Sequence, residues 1–323
     1  MSATGGRAGR FGKVVAVGGG HGLARALGAL RTIGVAPTAI VTVADDGGSS
    51  GRLRRDYDII APGDLRRALL TLARNRGLAD LLAHRFVGGE LAGHALGNLL
   101  LLAAAEAEGD FLAALERVAA LLDCGGRVLP ATLAPVTLRA RVAGREVVGQ
   151  RSISKAGGPI DRLQLDPPDP PVCVEALAEI ARADAILLGP GSLYTSVIVN
   201  LLIPGLRAAI AATSVPLIAI ANLRTQPGET DGLDAAGHVA ALSDTLGGRR
   251  LDVLVTNVGG VRDDPGTVPL DPLTDGLARV GRVVPVDVVE RDLAGAPTAS
   301  HDRARLAAVL AQLLPTVRGV AGR

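Results

Sequence analysis

Apolar and polar positions fall into short blocks along the chain. A β-branched run, Val14-Val15-Ala16-Val17, stops at Gly18, Gly19, Gly20 and Gly22, after which Leu23, Leu27 and Leu30 recur at helical spacing. That pattern predicts a strand, a glycine turn and a helix. A second run, Ala39–Val43, begins about 25 residues after the first, a separation that suits a βαβ crossover with parallel pairing. Pro62-Gly63-Asp64 marks a turn, with Asp64 the expected N-cap of a helix carrying Leu65, Leu69 and Leu72. Helical periodicity continues over Leu78–Ala83, His94–Ala107 and Phe111–Leu122.

The pattern changes over Arg127–Leu165, where alternating runs (Val136–Val142 and Glu146–Gln150) flank the hairpin-like Ala143-Gly144-Arg145. An antiparallel β insertion is expected there, over about 127–165. Strands then resume at Ala185–Leu188, Pro216–Ala221, Leu251–Thr256 and Val283–Val288, with helices expected at Val197–Thr213, Asp234–Leu246 and His301–Leu314. Strands alternating with helices predict an α/β fold: a Rossmann-like, doubly wound, mostly parallel sheet carrying a small antiparallel insertion. One domain over 12–315 is expected, between a disordered tail at 1–11 and a C-terminal tail at 316–323.

Charge narrows the function classes. With 34 Lys+Arg against 32 Asp+Glu in 323 residues the net charge is +2, so no polybasic nucleic-acid binder is expected. Only three Phe and two Tyr are present, which argues against a surface of stacked aromatics. Two cysteines cannot build a four-cysteine zinc site or a disulfide framework, and a reduced, cytoplasmic setting is expected. The apolar stretch Val197–Thr213 is interrupted by Asn200, Pro204 and Arg207, so no membrane span is expected.

The candidate chemistry sits at strand ends. A glycine turn between strand and helix lets backbone N–H groups approach phosphate oxygens, which points to Gly18, Gly19, Gly20, His21, Gly22 and Leu23. The dinucleotide fingerprint fails, because Leu23 stands where its last glycine belongs, so an NAD-dependent oxidoreductase is the weaker reading. Asp45 and Asp46 end the second strand, where carboxylates can accept ribose hydroxyls or hold Mg²⁺ beside substrate phosphates, with Ser49 and Ser50 as further donors. Arg52, Arg54, Arg55, Arg66 and Arg67 follow, residues suited to phosphate or carboxylate capture. A second cradle, Gly189-Pro190-Gly191-Ser192 with Tyr194, and a polar loop with Asn222, Thr225 and Gln226 follow later strands. One shared cleft is expected. No Gly-x-Ser-x-Gly elbow or His-Glu-x-x-His motif is present, and no acid/base pair stands out.

Three of these runs, Gly18–Leu23, Thr42–Leu53 and Pro62–Arg66, together with Gly189–Ser196 and Thr225–Gly232, resemble the bacterial gluconeogenesis-factor family (YvcK/GlmR-like) over roughly residues 12–315. The resemblance implies a cytosolic protein that binds UDP-sugars, chiefly UDP-N-acetylglucosamine. It also implies support of cell shape and peptidoglycan precursor supply during gluconeogenic growth, in part by regulating glucosamine 6-phosphate synthase. The superfamily includes a Mg²⁺-dependent 2-phospho-L-lactate transferase, which implies the alternative of a transferase on a nucleotide diphosphate-linked donor. A non-catalytic binding protein is the preferred expectation, and a homo-oligomer the expected assembly. The sequence departs from the family pattern at His21, where Thr is common, and at Ser300, where Arg is frequent.

Overall fold

The computed structural model describes residues 11–264, 267–270, 279–291 and 297–315. Apart from Phe11, the two tails expected at the termini lie outside the described residues.

The main sheet is built from strands β1 (Val14–Gly18), β2 (Thr38–Val41), β3 (Arg127–Pro130), β7 (Ala185–Leu188), β8 (Leu217–Ile220), β9 (Leu251–Asn257) and β10 (Val280–Val286). Their spatial order is β10-β9-β8-β7-β1-β2-β3, with every neighbouring pair parallel. All five residues of β1 are buried, as are all four of β2, β7 and β8, which is why these strands read as unbroken apolar runs. Strand order reverses between β1 and β7. At such a switch point the two following loops diverge to opposite faces and leave a crevice at the carboxyl edge.

Between β1 and β2 runs α1 (Gly20–Thr32), whose Leu23, Leu27 and Leu30 are buried. Each contributes roughly 1.5–3 kcal/mol of apolar transfer. Helix α1 packs against α3 (Pro62–Leu72) and α12 (Arg303–Leu313). After β2 the chain forms α2 (Gly48–Tyr57), and α3 is followed by α4 (Arg76–Ala83), α5 (Leu96–Glu108) and α6 (Phe111–Leu121). The glycine-serine run is therefore helical from Gly48.

The insertion is a three-stranded antiparallel sheet, β4 (Thr137–Val142), β5 (Arg145–Val148) and β6 (Ile160–Asp166), in the order β5-β4-β6, with α7 (Gln150–Ala156) between β5 and β6. Arg127–Pro130, expected inside the insertion, instead pairs with β2 as the edge of the main sheet. Its short apolar core, Val128 and Leu129, is buried and serves a parallel edge as well as a hairpin.

Helix α8 (Val174–Ala181) precedes β7, and a π-helical turn, Leu193–Ile198, runs into α9 (Val199–Leu201) after it. The long helix expected over 197–213 is broken, because Pro204 starts a separate α10 (Pro204–Ala212) at an 81° bend. Helix α11 (Ala235–Thr245) follows β8. Strands β11 (Val289–Arg291) and β12 (Pro297–His301) form an antiparallel pair that the periodicity did not predict, so His301 ends a strand and Asp302 caps α12 through the Arg305 N–H (2.7 Å). No single helix among the described residues is long and apolar enough to cross a membrane. Cys124 and Cys173 are free, and burial pushes both thiols up to about 11.

Candidate functional site

Strands β1, β2, β7 and β8 end at Gly18, Val41, Leu188 and Ile220, so the loops after them meet at one edge of a parallel sheet. Two joined cavities lie along that edge. One, of about 330 Å³, is lined by residues of the β1–α1 turn, by Thr42, Asp45, Asp64, Arg67, Gln150 and by Gly191–Ser192. Its neighbour, of about 290 Å³, shares Gly22, Gly191 and Ser192 and extends to Asn222, Thr225, Gln226 and His301.

The β1–α1 turn is held close on two sides. A Cβ on Gly22 would sit 2.4 Å from the Pro190 carbonyl oxygen, so the first turn of α1 touches the backbone of the second cradle. A Cβ on Gly19 would meet Thr42 Cγ2 at 2.6 Å and Asp64 Oδ2 at 2.8 Å. Asp64 does not cap its own helix, since Ala61 holds that position. Its Oδ2 accepts the Gly20 N–H (2.7 Å) and its Oδ1 pairs with Arg67, so a carboxylate already occupies the first donor of α1. The N–H groups of His21 and Gly22, also in the first turn, have no acceptor within the helix. Arg67 and then burial hold the His21 imidazole below its ordinary pKa.

Asp45 and its neighbour part ways. Asp45 lines the cavity, accepts the Gly47 N–H (2.9 Å), is hydrogen-bonded by Ser50, and is pushed up in pKa by burial. Asp46 lines neither cavity. Its Oδ1 accepts the Arg151 N–H (3.0 Å) in the first turn of α7, so it anchors the insertion. The two carboxylates on the wall of the first cavity are therefore Asp45 and Asp64, while Asp264 lines the second. No group of three or more His, Cys, Asp or Glu that could hold a metal ion is present among the described residues.

The insertion supplies a wall through α7. Gln150 lines the cavity, and Ser154 Oγ donates to Glu229 Oε1 (2.9 Å). Glu229 is 1% exposed and also accepts from Thr195 Oγ1 (2.6 Å), Thr195 N–H (3.3 Å) and Gln226 Nε2 (3.3 Å). Burial pushes its pKa up while these donors oppose the shift. One carboxylate thus joins the π-helical turn, the β8 loop and the insertion.

Of the residues singled out from the sequence, Gly19, Gly20, His21, Gly22, Asp45, Gly191, Ser192, Asn222, Thr225 and Gln226 line the joined cavities. Gly18 ends β1, and Leu23 is buried core. Ser49 is buried on α2, where it accepts from Asn98 Nδ2 (3.0 Å) and meets His94 Nδ1 (3.1 Å), so it braces α2 against α5. Ser50 orients Asp45. Gly189 turns the chain at φ 72° before a cis peptide to Pro190. Tyr194 is half-buried outside the two cavities. Sequence reasoning left out Asp64, Gln150, Thr195 and Glu229 as site residues. Asp64, Thr195 and Glu229 fall inside the marked runs Pro62–Arg66, Gly189–Ser196 and Thr225–Gly232 without having been given a site role, and only Gln150, at the start of α7, lies outside every marked run.

Comparison with known proteins adds an independent line. A family model described as 2-phospho-L-lactate transferase CofD matches residues 14–266. A relative from Mycobacterium tuberculosis H37Rv that carries the gluconeogenesis-factor name is 41% identical over 311 residues, 92% of this chain and 89% of its own. The Bacillus subtilis gluconeogenesis factor is 42% identical over 255 residues, covering 78% of this chain and 80% of that protein. A crystal structure of a UPF0052-family protein from Bacillus halodurans superimposes with a TM-score of 0.85 at 38% identity, covering 94% of this chain and 99% of that one.

Proposed function

The chain belongs to the gluconeogenesis-factor family within the wider CofD family, and on that premise we propose that it is a binding and regulatory protein for a nucleotide diphosphate-linked sugar, UDP-N-acetylglucosamine first among them. The observation that carries the reading is the contact between the two glycine cradles, Gly22 against the Pro190 carbonyl, at the mouth of one cleft. A diphosphate laid against the His21–Gly22 turn and Gly191–Ser192 meets backbone donors from two helix starts. The base then extends toward Asn222, Thr225 and Gln226, whose amides and hydroxyl offer both donors and acceptors.

In this reading occupancy of the cleft changes the affinity for a partner enzyme, glucosamine 6-phosphate synthase, and so sets precursor supply for the cell wall and cell shape during gluconeogenic growth. Such coupling requires that the ligand bind two states of the protein unequally. Calorimetry with UDP-N-acetylglucosamine is the test. Saturable one-to-one heat supports the reading, and neither heat nor a thermal shift at about millimolar ligand removes it.

A second reading is favoured by the family match and by Asp45 and Asp64 on one cavity wall. These two would hold a Mg²⁺ ion, which supplies charge neutralisation of a departing diphosphate. Asp46, which the sequence offered with Asp45 as a metal ligand, lines neither cavity and accepts the Arg151 N–H, so this reading rests on Asp45 and Asp64. Incubation with GDP-linked phospholactate and a deazaflavin alcohol, followed by mass spectrometry, separates the two. Product lost on Asp45→Asn establishes a transferase, whereas tight UDP-sugar binding with no product favours the regulator.

A further inference from the structure

Helix α5 (Leu96–Glu108) is apolar on two sides. Its inner side, with Leu101, Leu102 and Ala104, is buried against the body of the protein. A second set, Leu96, Leu99, Leu100, Ala103 and Ala107, recurs at spacings of three and four and falls within about 100° of the helix circumference. The three leucines of this stripe are half-buried and the two alanines exposed. A helix at a protein surface ordinarily carries charge along its outer face, but in α5 only Glu106 and Glu108, in the last turn, are charged. The α4–α5 loop extends the apolar surface at the N-terminal end of the stripe. It is tied there by the Phe86 N–H to the His94 carbonyl (3.0 Å) and the Leu96 N–H to the His84 carbonyl (2.9 Å). Val87 is 97% exposed in this loop and Leu91 44%. None of these residues lines either cavity of the nucleotide cleft.

The shape of the stripe selects its occupant. Leucines fill its N-terminal half and alanines its C-terminal half. Two copies of α5 laid antiparallel set Leu96 opposite Ala107 and Leu100 opposite Ala103, a large side chain over a small one at each level. Parallel copies would set leucine on leucine and leave the alanines apart. Charge favours the same arrangement. Helix α5 has no acidic residue in its first turn, no side-chain cap at Ala95 and no basic residue in its last turn, so Glu106 and Glu108 stand at its own negative pole. Arg117 meets Glu108, but Glu106 has no partner among the described residues. At the other end Arg85 donates to the Gly93 carbonyl and pairs with no carboxylate among the described residues. Glu90 is the one acidic residue of the 84–94 loop. In the antiparallel register Glu106 of each copy falls at the uncapped, Arg85-bearing start of the other helix.

We propose that α5 and the loop before it form the interface of a homodimer, in which the two α5 helices pack antiparallel across a molecular two-fold axis. Such a contact uses the same surface on both copies and closes after two. At about 1.5 Å per residue the stripe runs only about 17 Å, short of the roughly 800 Å² per partner of a stable interface, so the loop with Val87 and Leu91 completes it. The apolar centre and the charges at its two ends match the anatomy of a homodimer contact, an apolar core inside a polar rim.

Sedimentation velocity on the full-length protein, from about 1 to 100 μM, is expected to show a monomer–dimer equilibrium lying toward the dimer. Ala103→Glu, at an exposed position, brings like charges together across the axis and is expected to raise the dimer dissociation constant about a hundredfold or more, with an unchanged far-ultraviolet circular dichroism spectrum. Glu106→Lys sets a cation at the partner's helix start and is expected to weaken the dimer several-fold, less so at high salt. Val87→Ser, on a side chain already in water, is expected to weaken it several-fold as well. A protein that stays monomeric over the whole range overturns the proposal. So does a dimer that Ala103→Glu leaves intact, since its interface lies elsewhere, and so does growth beyond two copies, since a two-fold contact closes. The runs contain no nucleotide, so their outcome is independent of whether the cleft binds a nucleotide-sugar.

Discussion

Glu229 concentrates the energetics of the site in one side chain, since four donors from three elements converge on a carboxylate that water hardly reaches. Glu229→Ala leaves those donors facing a void and is expected to destabilise the fold by about 2–4 kcal/mol, read from the urea midpoint at constant slope. Its raised pKa has a definite sign. The folded state keeps the proton after the unfolded chain has lost it, so stability falls as pH climbs from the ordinary carboxylate range to the raised value. Glu229→Gln removes that decline. His301 works in the opposite direction. Burial lowers its pKa to about 4, so the unfolded chain takes up a proton below about 6.5 that the folded protein refuses. Stability is expected to drop by about 3 kcal/mol between those pH values, and a His301→Phe variant to lose this acid-side loss, as followed by thermal midpoints from pH 4 to 8.

At the scale of elements, the contact between α1 and the turn after β7 decides the shape of the cleft. Gly22→Ala sets a methyl against the Pro190 carbonyl, a backbone atom with no freedom to swing aside. Either the helix start or the cradle must retreat. A loss of about 1–3 kcal/mol in stability and about tenfold in UDP-sugar affinity is expected, while Gly88→Ala, where a Cβ meets open space, leaves both unchanged. A Gly22→Ala protein with wild-type affinity would show that the cradles do not act together. The insertion is the other element whose role exceeds its appearance. Its sheet reads as a decoration, but α7 returns to the rim, where Gln150 lines the cavity and Ser154 and the Arg151 N–H bind Glu229 and Asp46.

For the molecule as a whole, ligand binding across loops from four strands should protect distant segments together. At about 100 times Kd, UDP-N-acetylglucosamine is expected to add about 2.7 kcal/mol of stability. Amide exchange should slow at once in 19–23, 149–155, 189–196 and 222–230, and protection confined to a single loop would contradict the shared cleft. The parallel sheet was legible in the chain because strands buried on both faces leave uninterrupted β-branched runs, as in Val14–Val17 and Ala185–Leu188. The glycine cradles were legible for a similar local reason, since turns that need close backbone approach exclude side chains. Helix α2 was not, because the Gly48-Ser49-Ser50-Gly51 run has poor helix propensity and is held by burial of Ser49, Ser50 and Leu53. The sequence by itself determined the apolar strands of the parallel sheet, β1, β2, β7, β8, β9 and β10, and the loops that carry glycine and carboxylate. Tertiary structure alone decided that Asp64 caps α1, that Asp46 serves the insertion and that Glu229 joins three elements. Those pairings span 34 to 105 residues of chain, as in Thr195–Glu229 and Asp46–Arg151, and no local period carries information about contacts made at that separation.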